Sequence, residues 1–264
     1  MKNDRLKSIL GIPYFLFLVI FVVCPVLILL YYAFTNGAGE FSLANFTLFF
    51  TDSKAIGTLI YSVMVAVVTT IVCLLIAYPV AYLLAKGEFR RGNVLLMLFV
   101  MPMWINFTLR ITALKEILTL IEGNLAFHPF LNTVIGMTYD FLPFMILPIY
   151  NALVRIRKDL IEAARDLGAG NLLVFFKIIL PLSLSGVFSG IIMVFVPALT
   201  SFVISDLLGG GKVLLIGNVI EQEFMQGSNW NLGSGLSVVL MIFVIASMAV
   251  MNIFDKDQGG TAVW

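Results

Sequence analysis

The sequence predicts an all-α membrane protein of about six transmembrane helices, with a short charged helix in water between the fourth and the fifth. Three observations predict it. Hydrophobic residues make up 61% of the 264-residue chain and charged residues only 12%, about half the share found in soluble domains. With a mean hydropathy of +1.05, such a chain has too few polar side chains to cover a water-exposed exterior, so the bilayer is its solvent. Six apolar runs each approach or exceed the roughly 20 residues that a helix needs to cross the hydrocarbon core. Finally, the stretch Glu162–Pro181, EAARDLGAGNLLVFFKIILP, sets charges and glycines between two of those runs.

The first span is Gly11–Phe34. Basic residues precede it as in a secretory signal, but its apolar stretch is too long for an h-region and no A-x-A cleavage site follows, so it reads as a retained helix. The second is Thr58–Ala85, whose Pro79 is expected to kink rather than end it, since neighbouring groups satisfy the freed carbonyl. The third is Val94–Leu114, interrupted by Pro102 and Arg110. Arg110 lies about 24 Å along a straight helix from Val94, so its side chain is expected to snorkel to the outer surface or to pair with an outer acid. The fourth is Val134–Leu153 with Pro143 and Pro148, the fifth Leu182–Ile204 with Pro197, and the sixth Leu232–Phe254. Residues 1–264 thus read as one transmembrane domain, with a cytoplasmic loop at about 155–181. Outer connections are expected at Asn36–Gly57 and at Gly209–Trp230, the latter glycine-rich and able to dip back toward the membrane.

Lys and Arg placement sets the orientation. With the N-terminus inside, Lys2, Arg5, Lys7, Lys86, Arg90, Arg91, Arg155, Arg157, Lys158, Arg165, Lys177 and Lys256 are cytoplasmic, twelve of the 16 basic residues. Both termini are therefore expected in the cytoplasm of a multi-pass protein. Glu40, Asp52, Glu116, Glu122, Asp140, Asp206, Glu221 and Glu223 map outside. They are either ordinary solvated acids or a mouth whose negative potential gathers cations.

Several chemistries are excluded. A net charge of +1 argues against nucleic acid as a partner, because phosphate binding needs a basic patch. Cys24 and Cys73 sit inside apolar runs with no neighbouring Cys or His, as packing residues do. His128 is the single histidine, so neither a metal site nor a His-based triad is expected. Gly209-Gly210-Gly211-Lys212 lacks the spacing of a phosphate loop. Catalysis and a cofactor are not expected in this chain.

Between Arg155 and Ile179 the sequence is more specific. Leu160, Ala163, Ala164 and Leu167 recur at i, i+3, i+4 and i+7, one small apolar helix face. Asp159, Glu162 and Asp166 form an acidic stripe beside it, and Gly168 is suited to end the helix in the left-handed conformation. Alanine and acid are unlike a helix lying on headgroups, which favours large apolar groups and Lys/Arg flanks. The arrangement fits a groove on a partner protein.

Glu162-Ala163-Ala164, Gly168, Ile178 and Leu180-Pro181 resemble the EAA loop of binding-protein-dependent importer permeases, where a short helix docks on the ATPase. The run Phe141–Tyr150, the run Ala163–Ala169 and the block Asp206–Gly210 with Leu214–Ile220 resemble PotB-type permease subunits of spermidine/putrescine importers. The resemblance implies a subunit of the bacterial cytoplasmic membrane working by alternating access. It also implies a sister permease, two copies of a cytoplasmic ATPase that bind ATP and Mg, and an external polyamine-binding protein, all in membrane lipid. The ATPase-coupling residues would be Glu162, Ala163, Ala164, Asp166 and Gly168.

A polycation needs acids and aromatics on its path. Asp206, read as ending the fifth span after an uncharged run, and Asp140, read at the outer end of the fourth, are the first candidates. Tyr139, Trp104 and Trp230 offer cation–π faces, or form the interfacial belt where such residues commonly sit. Glu221 and Glu223 complete the set. A permease for another small solute and an ion-gradient-driven carrier are the alternatives. The carrier requires ionisable groups near the bilayer midplane, and none is expected deep in the six spans.

Overall fold

The computed structural model describes residues 13–51, 53–87, 92–227 and 229–259. Among them the only β pairing is an isolated bridge between Thr35 and Phe41; the rest of the regular structure is helical. The helices are α1 Pro13–Ala33, α2 Ala44–Thr51, α3 Ser53–Lys86, α4 Gly92–Val100, α5 Phe107–Glu122, α6 Pro129–Arg155 and α7 Lys158–Asp166. They are followed by α8 Asn171–Thr200, α9 Val203–Leu208, α10 Ile216–Met225 and α11 Trp230–Gly259. Five of these helices are long and apolar enough to cross a membrane, or six if the bent pair Val94–Trp104 and Phe107–Glu122 is one span. The expected start of the first span at Gly11 lies outside the described residues, as do Arg90 and Arg91.

Proline shapes the spans without ending them. Pro79 lies inside α3, Pro143 and Pro148 inside α6, and Pro197 inside α8. Two wide π-helical stretches, Val19–Val23 in α1 and Phe175–Ile179 in α8, each stop two residues before a proline, Pro25 and Pro181. The missing proline N–H and the ring's clash with the preceding turn make such widening favourable there.

Two expectations are corrected. The third span is not straight: α4 passes into a 3₁₀ turn at Met101–Trp104, and the chain bends by 95° before α5. Ile105 is extended, and Asn106 caps α5 by accepting from the N–H groups of Thr108 and Leu109 at 2.9 and 3.3 Å. The distance counted from Val94 to Arg110 therefore has no meaning in this fold. Nor does the fifth span run from Leu182 to Ile204. It starts at Asn171, so the second half of the predicted aqueous loop is helical, and it stops at Thr200. Ser201 is extended, and Asp206 belongs to the separate helix α9 rather than to the end of the fifth span. The connections expected at Asn36–Gly57 and Gly209–Trp230 also contain helices, α2 and α10.

The described chain forms two compact units, residues 13–56 with 219–243 and residues 57–218 with 244–259. In the first, two asparagines satisfy the carbonyls left open at the end of α1. Asn45 donates to the Ala33 and Thr35 carbonyls at 2.9 and 3.0 Å, and Asn231 to those of Tyr32 and Thr35 at 3.1 and 2.7 Å. In the second, α6 is the core: 61% of its most apolar window is buried. α8 packs along it through Gly186 and Gly190, a pair four residues apart. A Cβ at Gly186 would come within 2.6 Å of the Pro148 carbonyl oxygen, and one at Gly190 within 2.6 Å of Met145 Sδ. Small residues at this spacing let helix backbones approach closely, which matters in lipid, where burial alone gives helices little reason to associate. α9 packs on α5 and α6, with Gly136 leaving room for Leu208.

Candidate functional site: a coupling helix and two carboxylates

Helix α7 forms where the sequence places it. Asp159 in its first turn and Arg165 in its last complement the helix dipole. Its end is built by backbone geometry: Gly168 has φ +83°, its N–H donates to the Arg165 carbonyl at 2.8 Å, and the Ala169 N–H donates to that of Ala164 at 3.0 Å. This pair of bonds closes a helix with a left-handed glycine and satisfies two open carbonyls. Glu162, Ala163 and Asp166 are exposed, Ala164 is half-buried, and Leu167 is 89% exposed. Leu167, Gly168 and Ala169 line a shallow, mainly apolar cleft with Ala164, Leu173 and Ile178.

Both ends of α7 are tied to the spans. Lys86, the last residue of α3, donates to the Ile156 carbonyl at 2.8 Å just before α7. At the far end Arg165 donates to Asn171 Oδ1, the first residue of α8, at 3.2 Å. The segment from Ile156 to Arg165 is thus hydrogen-bonded to the ends of two long apolar helices. Arg157 and Asp159 pair at the exposed start of α7, and hydrogen bonding from Arg157 holds the Asp159 carboxyl below the usual range.

Among the candidate substrate residues, Asp140 is not at the outer end of its helix. α6 starts at Pro129, which puts Asp140 about 16 Å along it. Its carboxylate is buried and paired with the Arg110 guanidinium, which also lies 5.9 Å from the centre of the Tyr139 ring. Arg110 is 8% exposed, so the expected snorkelling does not occur and the alternative of an ion pair with an acid does. The expectation that no ionisable group lies deep in the spans is corrected by the same pair. The bend before α5 brings Arg110 inward, and the two charges compensate each other.

Asp206 is exposed on α9 and has a neutral neighbour. Asn218 Nδ2 donates to its Oδ1 at 2.5 Å. Asn218, 1% exposed, is the node of the segment between α8 and α10. Its Oδ1 accepts from the Leu215 N–H at 2.9 Å and the Ser205 hydroxyl at 2.8 Å, and its amide also donates to the Phe202 carbonyl at 3.2 Å. The Ile216 N–H beside it donates to Ser62 Oγ on α3 at 2.7 Å. The sequence alone gives Asn218 no role, although it lies in the block Leu214–Ile220. An amide inside an apolar block was the available signal.

Tyr139 is 42% and Trp104 82% exposed. In the other unit Trp230 packs edge-on against Phe224 at 5.4 Å and beside Tyr32 at 6.1 Å. Glu221 and Glu223 are half-buried there, Glu223 lining a mostly apolar crevice with Phe49 and Leu236. Asp140 and Asp206 share no hydrogen-bond partner among the described residues. No group of three metal-ligating side chains occurs among those residues either.

Residues 77–257 match the family described as "Binding-protein-dependent transport system inner membrane component". The chain belongs to that family. A spermidine/putrescine transport system permease protein PotB of Haemophilus influenzae is 37% identical over 92% of this chain and 91% of its own length. The PotB protein of Escherichia coli is 37% identical over 76% of this chain and 78% of its own. A crystal structure of a bacterial ABC transporter for the acidic polysaccharide alginate superposes with a TM-score of 0.75 at 15% identity, covering 97% of this chain and 96% of that one. The MetNI methionine ABC transporter in an inward-facing form gives 0.60 at 19% identity, over 77% and 95%. At those identities the likeness shows the fold, that of an ABC transporter permease. The family is one of inner-membrane transport components, not of enzymes.

Proposed function

We propose that this permease forms one half of the membrane pathway of an ATP-driven importer for spermidine and putrescine. The observation that carries the proposal is the 37% identity, over 92% of the chain, to a permease protein of a spermidine/putrescine transport system. The remaining parts are a sister permease, two copies of a cytoplasmic ATPase that bind ATP and Mg, and an external polyamine-binding protein. Residues 1–264 act as one permease domain with no nucleotide or metal of its own. The basic residues orient it in the bacterial cytoplasmic membrane with both termini and α7 in the cytoplasm.

The geometry supports a mechanism. The ATPase grips the α7 face through Ala163, Ala164 and Leu167, with Glu162 and Asp166 meeting its charges. The Gly168 turn fixes where the helix stops. Closure of the ATPase on ATP displaces α7, and the tethers at Lys86 and Asn171 carry the displacement into α3 and α8. The pathway then alternates its opening between the two faces. On the outer side Asp206 receives an ammonium of the amine, with Trp104 and Tyr139 as candidate aromatic contacts; Trp230, Glu221 and Glu223 are the candidates that the other compact unit offers the path. Asp140 serves the path indirectly, by holding α5 against α6 through Arg110.

The test is uptake competition in cells lacking other polyamine importers and supplied with the full complex. Labelled spermidine should accumulate, and unlabelled putrescine should compete while glutamate and alginate oligosaccharides do not. Accumulation blocked by the anions and indifferent to the amines would overturn the substrate assignment.

A further inference from the structure

The Asp206–Asn218 arrangement carries more than the placement of one acid. Asn218 is buried and offers two acceptor and two donor positions. The Leu215 N–H and the Ser205 hydroxyl take the acceptor side, which fixes the way the amide faces. One donor reaches the Phe202 carbonyl, and these three bonds already bind the extended chain after α8 to the start of α10. The fourth bond adds little to that closure. It runs outward to the Oδ1 of an exposed carboxylate on α9, and no described residue bonds the other oxygen, Oδ2.

The geometry points to Asn218 as a positioning residue that aims Asp206 at a substrate ammonium, an inference that rests on the polyamine reading above. A neutral amide orients a carboxylate without cancelling its charge, whereas a guanidinium in its place would neutralise it, as Arg110 does for Asp140. With one oxygen held, the side chain loses little rotamer freedom when a cation arrives, and that lowers the cost of binding. The anchor is firm: Asn218 is tied to α9 through Ser205, and its neighbour Ile216 to α3 through Ser62. A primary or secondary ammonium is the ligand class that suits a single open carboxylate oxygen at an exposed position.

The experiment is a double-mutant cycle on spermidine uptake by the assembled importer. Asn218→Ala should raise the spermidine KM about tenfold with Vmax largely kept. In an Asp206→Asn background the same change should add less than about twofold, because the two residues act as one unit. Independent, multiplying effects would overturn the inference. Asn218→Ala also strips the loop of partners, so Asp206→Glu is made beside it, at the exposed residue. It should keep the wild-type melting temperature and the charge but carry the carboxylate past the amide that holds it, so its KM should rise severalfold. A wild-type KM in Asp206→Glu would show that the aim of the carboxylate does not matter and would overturn the inference. Wild-type importer that carries no polyamine would instead remove the substrate reading, and the inference with it.

Discussion

Asp140 and Asp206 are both lone carboxylates in long uncharged stretches, and their neighbours give them opposite roles. Asp140 lies halfway along α6, buried against Arg110. Asp206 lies on a short helix beyond the end of α8, exposed, with the Asn218 amide as its side-chain partner among the described residues. A carboxylate matched by a cation inside a membrane protein is spent on structure, since its charge is already neutralised and leaving the cation alone would be costly. A carboxylate held by a neutral donor keeps its charge for a ligand. The chemistry of the partner, more than depth in the chain, separates the two.

The largest effect should come from breaking the buried pair on one side. Asp140→Ala leaves Arg110 uncompensated at about 3–5 kcal/mol, so little protein should reach the membrane and what does should melt well below wild type. Replacing both, Arg110→Met with Asp140→Leu, should restore much of the yield. Normal insertion of Asp140→Ala would break the comparison from the structural side. Next comes Asp206→Asn, which keeps shape and loses charge. Yield and melting should be unchanged while uptake efficiency falls ten- to a hundredfold, about 1–3 kcal/mol.

A third test moves to α7, whose carboxylates face outward with no cation from this chain on Glu162 among the described residues. Gly168→Leu forces a side chain into the left-handed region at a cost of about 1–2 kcal/mol, although a Cβ there would meet no other atom within 4 Å. The turn should shift, and Gly168→Leu or Glu162→Lys should lower ATP-driven uptake severalfold while leaving the protein in the membrane. Unimpaired coupling in a protein carrying both would remove α7 as the ATPase contact. The smallest effect is expected at Asp159. Its carboxyl is held low by Arg157, so the pair contributes above the ordinary carboxylate pKa and is lost as pH falls through the depressed one. Being fully exposed, Asp159→Asn should not move the melting temperature at neutral pH.

How much of this was legible in the sequence differs between elements. The spans were, because roughly 20 apolar residues have no other home, and so was α7, where Gly168 stops the helix at the predicted place. The break in the third span was half legible. Pro102 resembles Pro79, Pro143, Pro148 and Pro197, all tolerated inside helices, so proline alone did not mark it. The cap at Asn106 was the better sign. The stop at Thr200 carries no glycine or proline. It depends on α10 coming close, where a Cβ on Gly217 would sit 2.8 Å from the Thr200 carbonyl oxygen, and a contact so remote in sequence leaves no local mark. For the same reason Arg110 and Asp140, thirty residues apart, could not be paired before the bend was known. Asp206 was found from its charge, whereas Asn218, which gives that charge its direction, emerged only from the hydrogen bonds.

The central claim is ATP-driven import of a polycation, and transport into proteoliposomes tests it most directly. The permease is reconstituted with its sister subunit and ATPase, with binding protein and labelled spermidine on the side opposite the ATPase and ATP on the ATPase side. Spermidine should accumulate against its gradient only with hydrolysable ATP, and ion gradients alone should move none. Accumulation driven by an ion gradient without ATP, or ATP-driven transport that ignores spermidine, would contradict the account.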